Sequence, residues 1–395
     1  QKKLSTPPFA RTSLFQPERF HEFEETFRAT VAQRLERVRS LISESGGPLE
    51  VQLEIEIKAI MLEMLVNNFF GASVAYEDIR ERYVPALDRV IDHIVLDTVI
   101  NKFGFPLHRL PSVVPFVEKA RRAQEEFEHL TEIVLSVRQE EKGLWGQFKS
   151  DASDEALKSN IRVFLAGALE ATTSYASWAI AHLARNAEAQ DRCYEDVRSI
   201  HTYTPDALAN AGYLGHVLNE TLRLTPSLYF HPRRATRETT ITTSSGETLT
   251  VPEGTHILLD VWHANRHEDH WGVSLTGYPA SAFAPERWET ISKSERASRD
   301  MLHFGFGHGP RFCPGKNLGQ LEVALVVGAC VKLFRFEAVG GALRAKAGVS
   351  TKPEDGTLVR LSLRSSEDVP GSLRHDPPLG TPPPDQQSGC PYSHS

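Results

Sequence analysis

Residue type and spacing point most directly to chemistry in one segment of this 395-residue chain, Phe306-Gly307-His308-Gly309-Pro310-Arg311-Phe312-Cys313-Pro314-Gly315. One cysteine stands in a Gly/Pro-rich loop with an arginine two residues before it. An amphipathic helix pattern follows through Leu318, Leu321, Leu325 and Leu333. A thiolate at a helix N-terminus is stabilised by free backbone N–H groups and by the positive end of the helix dipole. An anionic sulfur, rigidly held and hydrogen-bonded, is what an axial metal ligand requires. A free cysteine taken alone is more often a buried structural residue. The whole pattern therefore has to carry the reading.

That pattern fits F-x-x-G-x-R-x-C-x-G, and the segment resembles the cysteine loop of the cytochrome P450 family. The resemblance implies haem b (iron protoporphyrin IX) as cofactor, with Cys313 the iron ligand and Arg311 paired to a propionate. Phe306 packs beside the cysteine, and Gly315 is among the cofactor contacts. A second stretch, Phe164-Leu165-Ala166-Gly167-Ala168-Leu169-Glu170-Ala171-Thr172-Thr173, resembles the family's distal helix, A/G-G-x-D/E-T-T/S. Small residues there (Ala166, Gly167, Ala168) either open space for a flat ligand or let helices pack closely. Glu170 aligns with the acid and Thr172 with proton handling, but Ala171 occupies the usual threonine position. Thr172, an ordered water or a substrate hydroxyl then completes the relay.

Glu220 and Arg223 are three apart on a helix pattern rich in Val217, Leu218, Leu222 and Leu224, with Phe283-Ala284-Pro285-Glu286-Arg287-Trp288 downstream. These resemble the family's E-x-x-R and F-x-P-E-R-F segments, which implies a buried brace of Glu220, Arg223 and Arg287. Arg233, in Pro232-Arg233-Arg234, resembles a propionate-binding arginine; Arg234 reads equally well as solvated. Lys2 falls where the family's helix C carries another propionate-binding cation. Clustered His263, His267 and His270 lack a repeated ligand spacing and are read as an ordinary connection rather than a metal site.

The elements that must position these residues are mostly helical. Apolar residues recur near a 3.6-residue period from Pro17 through Ile42, from Val51 to Phe70, from Tyr83 to about Val99, over Phe116–Glu141 and from Asp154 to about Ala187. Gly104–Pro115 reads as a loop. After Pro226 the pattern changes to a hairpin over 239–243 and 248–251, a third strand over 256–261, and a final pair at 334–339 and 358–363. Helix without strand–helix alternation means a mainly α fold with a small β region. Residues 1–364 form the haem domain in this reading, and the Pro/Ser/Gly-rich run 365–395 a disordered tail.

Hydrophobic residues at 40%, charged residues at 24% and a net charge of −7 describe an ordinary folded chain and argue against a nucleic-acid binder. Four scattered cysteines suit a reducing compartment. No apolar stretch reaches membrane-spanning length. The resemblance begins within helix C, so an upstream segment is expected, with a cytoplasmic location or an endoplasmic reticulum anchor in that segment. The activity implied is monooxygenation of a moderately apolar organic substrate. It uses O2 and a separate electron donor (ferredoxin, flavodoxin or cytochrome P450 reductase), since no flavin or iron–sulfur pattern is present. A peroxide-using or rearranging enzyme of the same fold, or a truncated haem binder, are the rivals. The substrate pocket is expected from Val95–Pro111, Phe164–Ala168 and Ser227–His231.

Overall fold

Asp154–Leu183 forms a 30-residue helix, α5, in which nearly every residue from Leu169 onward is buried. An amphipathic stripe could not produce that. From Leu169 the helix is mostly apolar or small on all sides and so runs through the interior. Ser153 caps it, its hydroxyl accepting from the Ala156 N–H at 3.4 Å. The structure, a computed structural model, describes residues 16–96, 115–137, 143, 153–200, 202, 212–243, 245–291 and 303–364.

The longer described helices preceding α5 are α1 (Pro17–Ser45), α2 (Leu53–Glu63), α3 (Val84–Val95) and α4 (Pro115–Val137). The longer ones following are α6 (Ala187–Val197), α7 (Gly212–Leu224) and α8 (Lys316–Leu333). α1 buries the predicted stripe of Phe20, Phe23, Phe27, Val31, Leu35, Val38 and Ile42. Pro17 opens α1, and Gly46 closes it at φ +70°, a backbone angle that favours glycine. α5 packs on α2, α4, α7 and α8, and α8 packs also on α1 and α6. One continuous hydrophobic core joins them.

The β part is small and antiparallel. β1 (Leu49–Gln52), β9 (Leu358–Leu363) and β6 (Phe334–Ala338) form a three-stranded sheet in the order β1-β9-β6. β2 (Phe230–Arg234) pairs with β5 (His256–Asp260), and β3 (Thr239–Thr242) with β4 (Thr248–Val251). β7 (Ala345–Ala347) pairs with β8 (Thr351–Pro353). Mainly α with a small β region is therefore the architecture.

Several boundaries differ from the sequence reading. The expected helix from Val51 gives its first residues to β1, because Leu49–Gln52 finds a ladder partner in Leu358–Leu361. It then runs as α2 and widens into a π-helical turn over Met64–Phe69. α5 stops at Leu183, where Ala184 and Asn186 bond back to Ile180 and Leu183, and α6 starts afresh at Ala187. The strand at His256 pairs with Phe230–Arg234, which periodicity does not mark, instead of extending the 239–251 hairpin. The β7–β8 hairpin is likewise absent from the sequence reading. Lys2, most of Val95–Pro111 and the 365–395 tail lie outside the described residues.

Candidate functional site

The cysteine loop is assembled on α7. A turn at Phe304–Phe306 approaches α7 so closely that a Cβ on Gly305 would lie 3.2 Å from Leu222 Cβ. The chain then reverses through Gly307 at φ +69° and Gly309 at φ +66°. It closes with the Cys313 N–H donating to the Phe306 carbonyl oxygen at 3.0 Å, and α8 begins at Lys316. Lys316 Nζ lies 5.7 Å from the Phe306 ring centroid and 5.6 Å from that of Phe312. The loop therefore carries a cation and two aromatic rings around a half-buried sulfur.

The electrostatics at that sulfur correct the expectation of a thiolate favoured by the helix terminus. Burial raises the Cys313 pKa, and it outweighs the Gly315 N–H and the Lys316 ammonium, which pull it down. Desolvation penalises the anion more than one hydrogen bond and one flexible cation can offset. A bound metal cation would supply the missing positive charge and deprotonate the thiol.

Behind the loop stands the brace. Glu220 accepts from Arg223 Nε at 2.9 Å and Nη2 at 2.8 Å, from Arg287 Nε at 2.9 Å, from Trp288 Nε1 at 3.0 Å and from the Ala284 N–H at 3.0 Å. The arginines direct their remaining donors to backbone carbonyl oxygens and to the Thr276 hydroxyl. Arg223 reaches Asn265 and Ala280, and Arg287 reaches Trp271 and Pro279. All three charged side chains are fully buried. Burial pushes the Glu220 pKa up, but the two guanidinium groups prevail and hold it below the ordinary carboxylate value. The triad read from sequence is present as one closed network.

On the opposite side α5 presents Ala166 and Gly167. A Cβ on Gly167 would meet nothing within 4 Å, so close helix packing does not explain this glycine. Thr172 is buried; its hydroxyl donates to the Ala168 carbonyl oxygen at 2.9 Å, and its methyl lies 3.5 Å from where a Cβ on Gly319 of α8 would stand. The Ala171 carbonyl oxygen accepts from Ser227 Oγ at 3.0 Å. Glu170 sits in a cluster that sequence reasoning missed. It meets Lys58 Nζ at 3.1 Å, Lys352 Nζ at 2.8 Å and Ser350 Oγ at 3.0 Å. Burial opposes ionisation of Glu170, yet the two ammonium groups hold its pKa below the usual range. A lone lysine between Ile57 and Ala59 in an apolar run was the available signal for Lys58. Nothing local marked Lys352, 182 residues away from Glu170.

Arg233 is half-buried and Arg311 exposed, and neither pairs with a carboxylate among the described residues. Beside them lies His231, which the sequence reading placed at the edge of the substrate pocket and not at the cofactor. It is buried, and its Nδ1 has no hydrogen-bond partner among the described residues. A Cβ on Gly307 would lie 3.5 Å from its Cε1. A buried orphan nitrogen beside two arginines with no carboxylate partner among the described residues, above a loop with an available sulfur, fits a flat metal macrocycle bearing carboxylates. The histidines of the 263–270 connection have local work instead. His263 Nδ1 lies 2.6 Å from Asp260 Oδ2, and His267 accepts from the Asp269 N–H at 3.3 Å.

Comparison with known proteins agrees with this geometry. The family model described as Cytochrome P450 matches residues 1–355. The cytochrome P450 monooxygenase sphH of Aspergillus fumigatus is 29% identical over 222 residues, 53% of this chain and 39% of that protein. The cytochrome P450 monooxygenase FSL4 of Gibberella zeae is 31% identical over 229 residues, again 53% and 39%. The mitochondrial 1,25-dihydroxyvitamin D(3) 24-hydroxylase of Rattus norvegicus is 32% identical over 176 residues, 44% of this chain and 31% of that protein. The chain thus spans about two fifths of the length of the first curated relatives it matches. Among the described residues no helix is long and apolar enough to cross a membrane.

Proposed function

The chain belongs to the cytochrome P450 family, and from that membership and the cysteine-loop geometry we propose that it is a haem-thiolate monooxygenase acting on a moderately apolar organic substrate. The observation that carries the reading is Cys313, held by its N–H to Phe306 with the Gly315 N–H and Lys316 facing its sulfur. Haem b, when bound, supplies the iron at which O2 is activated with electrons from a separate ferredoxin, flavodoxin or reductase. Cys313 ligates that iron. Arg233 and Arg311 would hold the carboxylates. Phe306, Gly315, Ala166 and Gly167 would be among the residues that contact the group.

Protons are handled on α5. The Thr172 hydroxyl donates to Ala168 and keeps its oxygen lone pairs for a donor water. Glu170 is ionised at neutral pH, so it acts as a proton acceptor instead of a proton store. Substrate lies against Phe164–Ala168 and Ser227–His231, where Leu228 and Phe230 offer exposed apolar surface. Ala171 favours a second reading, a peroxide-using or rearranging enzyme, because no hydroxyl stands at that position to guide the proton.

A reduced-plus-carbon-monoxide difference spectrum tests the proposal. The chain should show the thiolate-shifted Soret band and Cys313→Ala should lose it. Retention of the band in Cys313→Ala would sink the ligand assignment. Turnover supported by peroxide and not by any reductase would favour the second reading.

A further inference from the structure

β2 alternates, so His231 and Arg233 turn to one side while Phe230 and Pro232 turn to the other. The imidazole edge carrying Cε1 and Nδ1 faces Gly307 of the cysteine loop, where an added Cβ would lie 3.5 Å and 3.9 Å from these two atoms. Nδ1 is out of reach of bulk water and bonds to nothing among the described residues. Native interiors leave few such atoms unmatched, and an ordered water or a ligand completes them. The surroundings say which kind. Desolvation lowers the His231 pKa, and Arg233 and His308 lower it further, so the ring is a neutral donor in a positive setting. A negatively charged oxygen satisfies both conditions.

We propose that His231 is a cofactor-binding residue whose Nδ1–H donates to the same haem carboxylate that Arg233 pairs with. The assignment rests on the haem-thiolate reading above. It gives that carboxylate one charged and one neutral donor from a single strand face, and it fixes the imidazole tautomer with the proton on Nδ1.

Release of haem from the full chain to excess apomyoglobin, followed by absorbance, tests it. Haem should leave His231→Leu about tenfold faster than the parent, as expected for loss of one charge-assisted hydrogen bond, and His231→Asn should fall between them. With iron protoporphyrin IX dimethyl ester, whose carboxylates are blocked, parent and His231→Leu should release at the same rate. Equal release with free-acid haem overturns the proposal. So does a leucine effect that persists with the ester, because that assigns His231 to packing. If the parent chain shows no thiolate-shifted carbon monoxide spectrum, the haem-thiolate reading falls together with this one. If it does and the His231 variants match it in haem release, only this inference falls.

Discussion

Glu170 on α5 and Glu322 on α8 are buried carboxylates on two packed helices, and their surroundings treat them oppositely. Glu170 has two ammonium groups and a hydroxyl. Burial pushes Glu322 up to about 8, and its Oε1 has no partner among the described residues. The pH consequences follow from the directions. A carboxylate with a lowered folded pKa stabilises above its unfolded value near 4.5, and that stability is lost as pH falls through the folded value. Glu170→Gln should therefore destabilise at pH 7 by about 1–3 kcal/mol, because Lys58 and Lys352 lose their shared anion and keep only Asp88 and Glu54. Denaturant titration at pH 7 checks this, and an unchanged midpoint would refute the anchoring role. A carboxyl raised to about 8 is neutral and harmless below 4.5, and its burial costs progressively more as pH rises toward 8. Glu322→Gln should raise stability at pH 8 by about 1–3 kcal/mol relative to its effect at pH 5. A pH-independent difference would show that Glu322 does not titrate in the folded chain.

At the scale of elements, two glycines should separate contact from conformation. Gly305 joins the cysteine loop to α7, where a Cβ would press on Leu222 at 3.2 Å and on His303 Cε1 at 3.1 Å. Gly305→Ala should cost about 1–3 kcal/mol and loosen the loop. Gly319 in α8 faces Thr172 at an ordinary 3.5 Å. Gly319→Ala should be neutral or stabilise by about 0.5–1 kcal/mol through helix propensity. Thermal unfolding of the two variants decides the matter; the reverse order would mean the loop and not the helix interface is the pliable contact. The same contrast shows what periodicity can reveal. α1 was legible because its apolar stripe is its own signature, and α5 because its length and composition demand burial. β1, β2 and the β7–β8 hairpin were not. Strands of three to five residues with mixed polarity are specified by the partner strand.

At the scale of the whole molecule, the brace links α7 to the run of short helices and turns over 261–291 that follows β5. Arg223 and Arg287 together bond carbonyl oxygens there at Asn265, Trp271, Pro279, Ala280 and Ala282. Such a segment has no ladder of its own, so buried guanidinium forks replace one. Arg287→Ala leaves part of the Glu220 charge unmatched and opens the contacts to Trp271, Pro279 and Ala282 and to the Thr276 hydroxyl. It should destabilise by about 3–5 kcal/mol, with Arg287→Lys recovering little because an ammonium cannot span the same acceptors. Yield of soluble chain and urea midpoint report this; a Lys variant equal to the parent would show that charge alone suffices.

From sequence alone, α1 to α5 and the cysteine loop with Cys313 were legible as local patterns of short spacing, and the Glu220–Arg223–Arg287 brace was implied by the resemblance of two short motifs. Only the tertiary structure decided that Glu170 lies between Lys58 and Lys352, that burial at Cys313 outweighs the helix terminus, and that the His231 Nδ1 faces the loop without a partner among the described residues. Those outcomes depend on which distant groups share one desolvated volume. Charge and hydrogen-bond energies there are set by distances of about three ångströms between residues far apart in the chain, which no local pattern encodes.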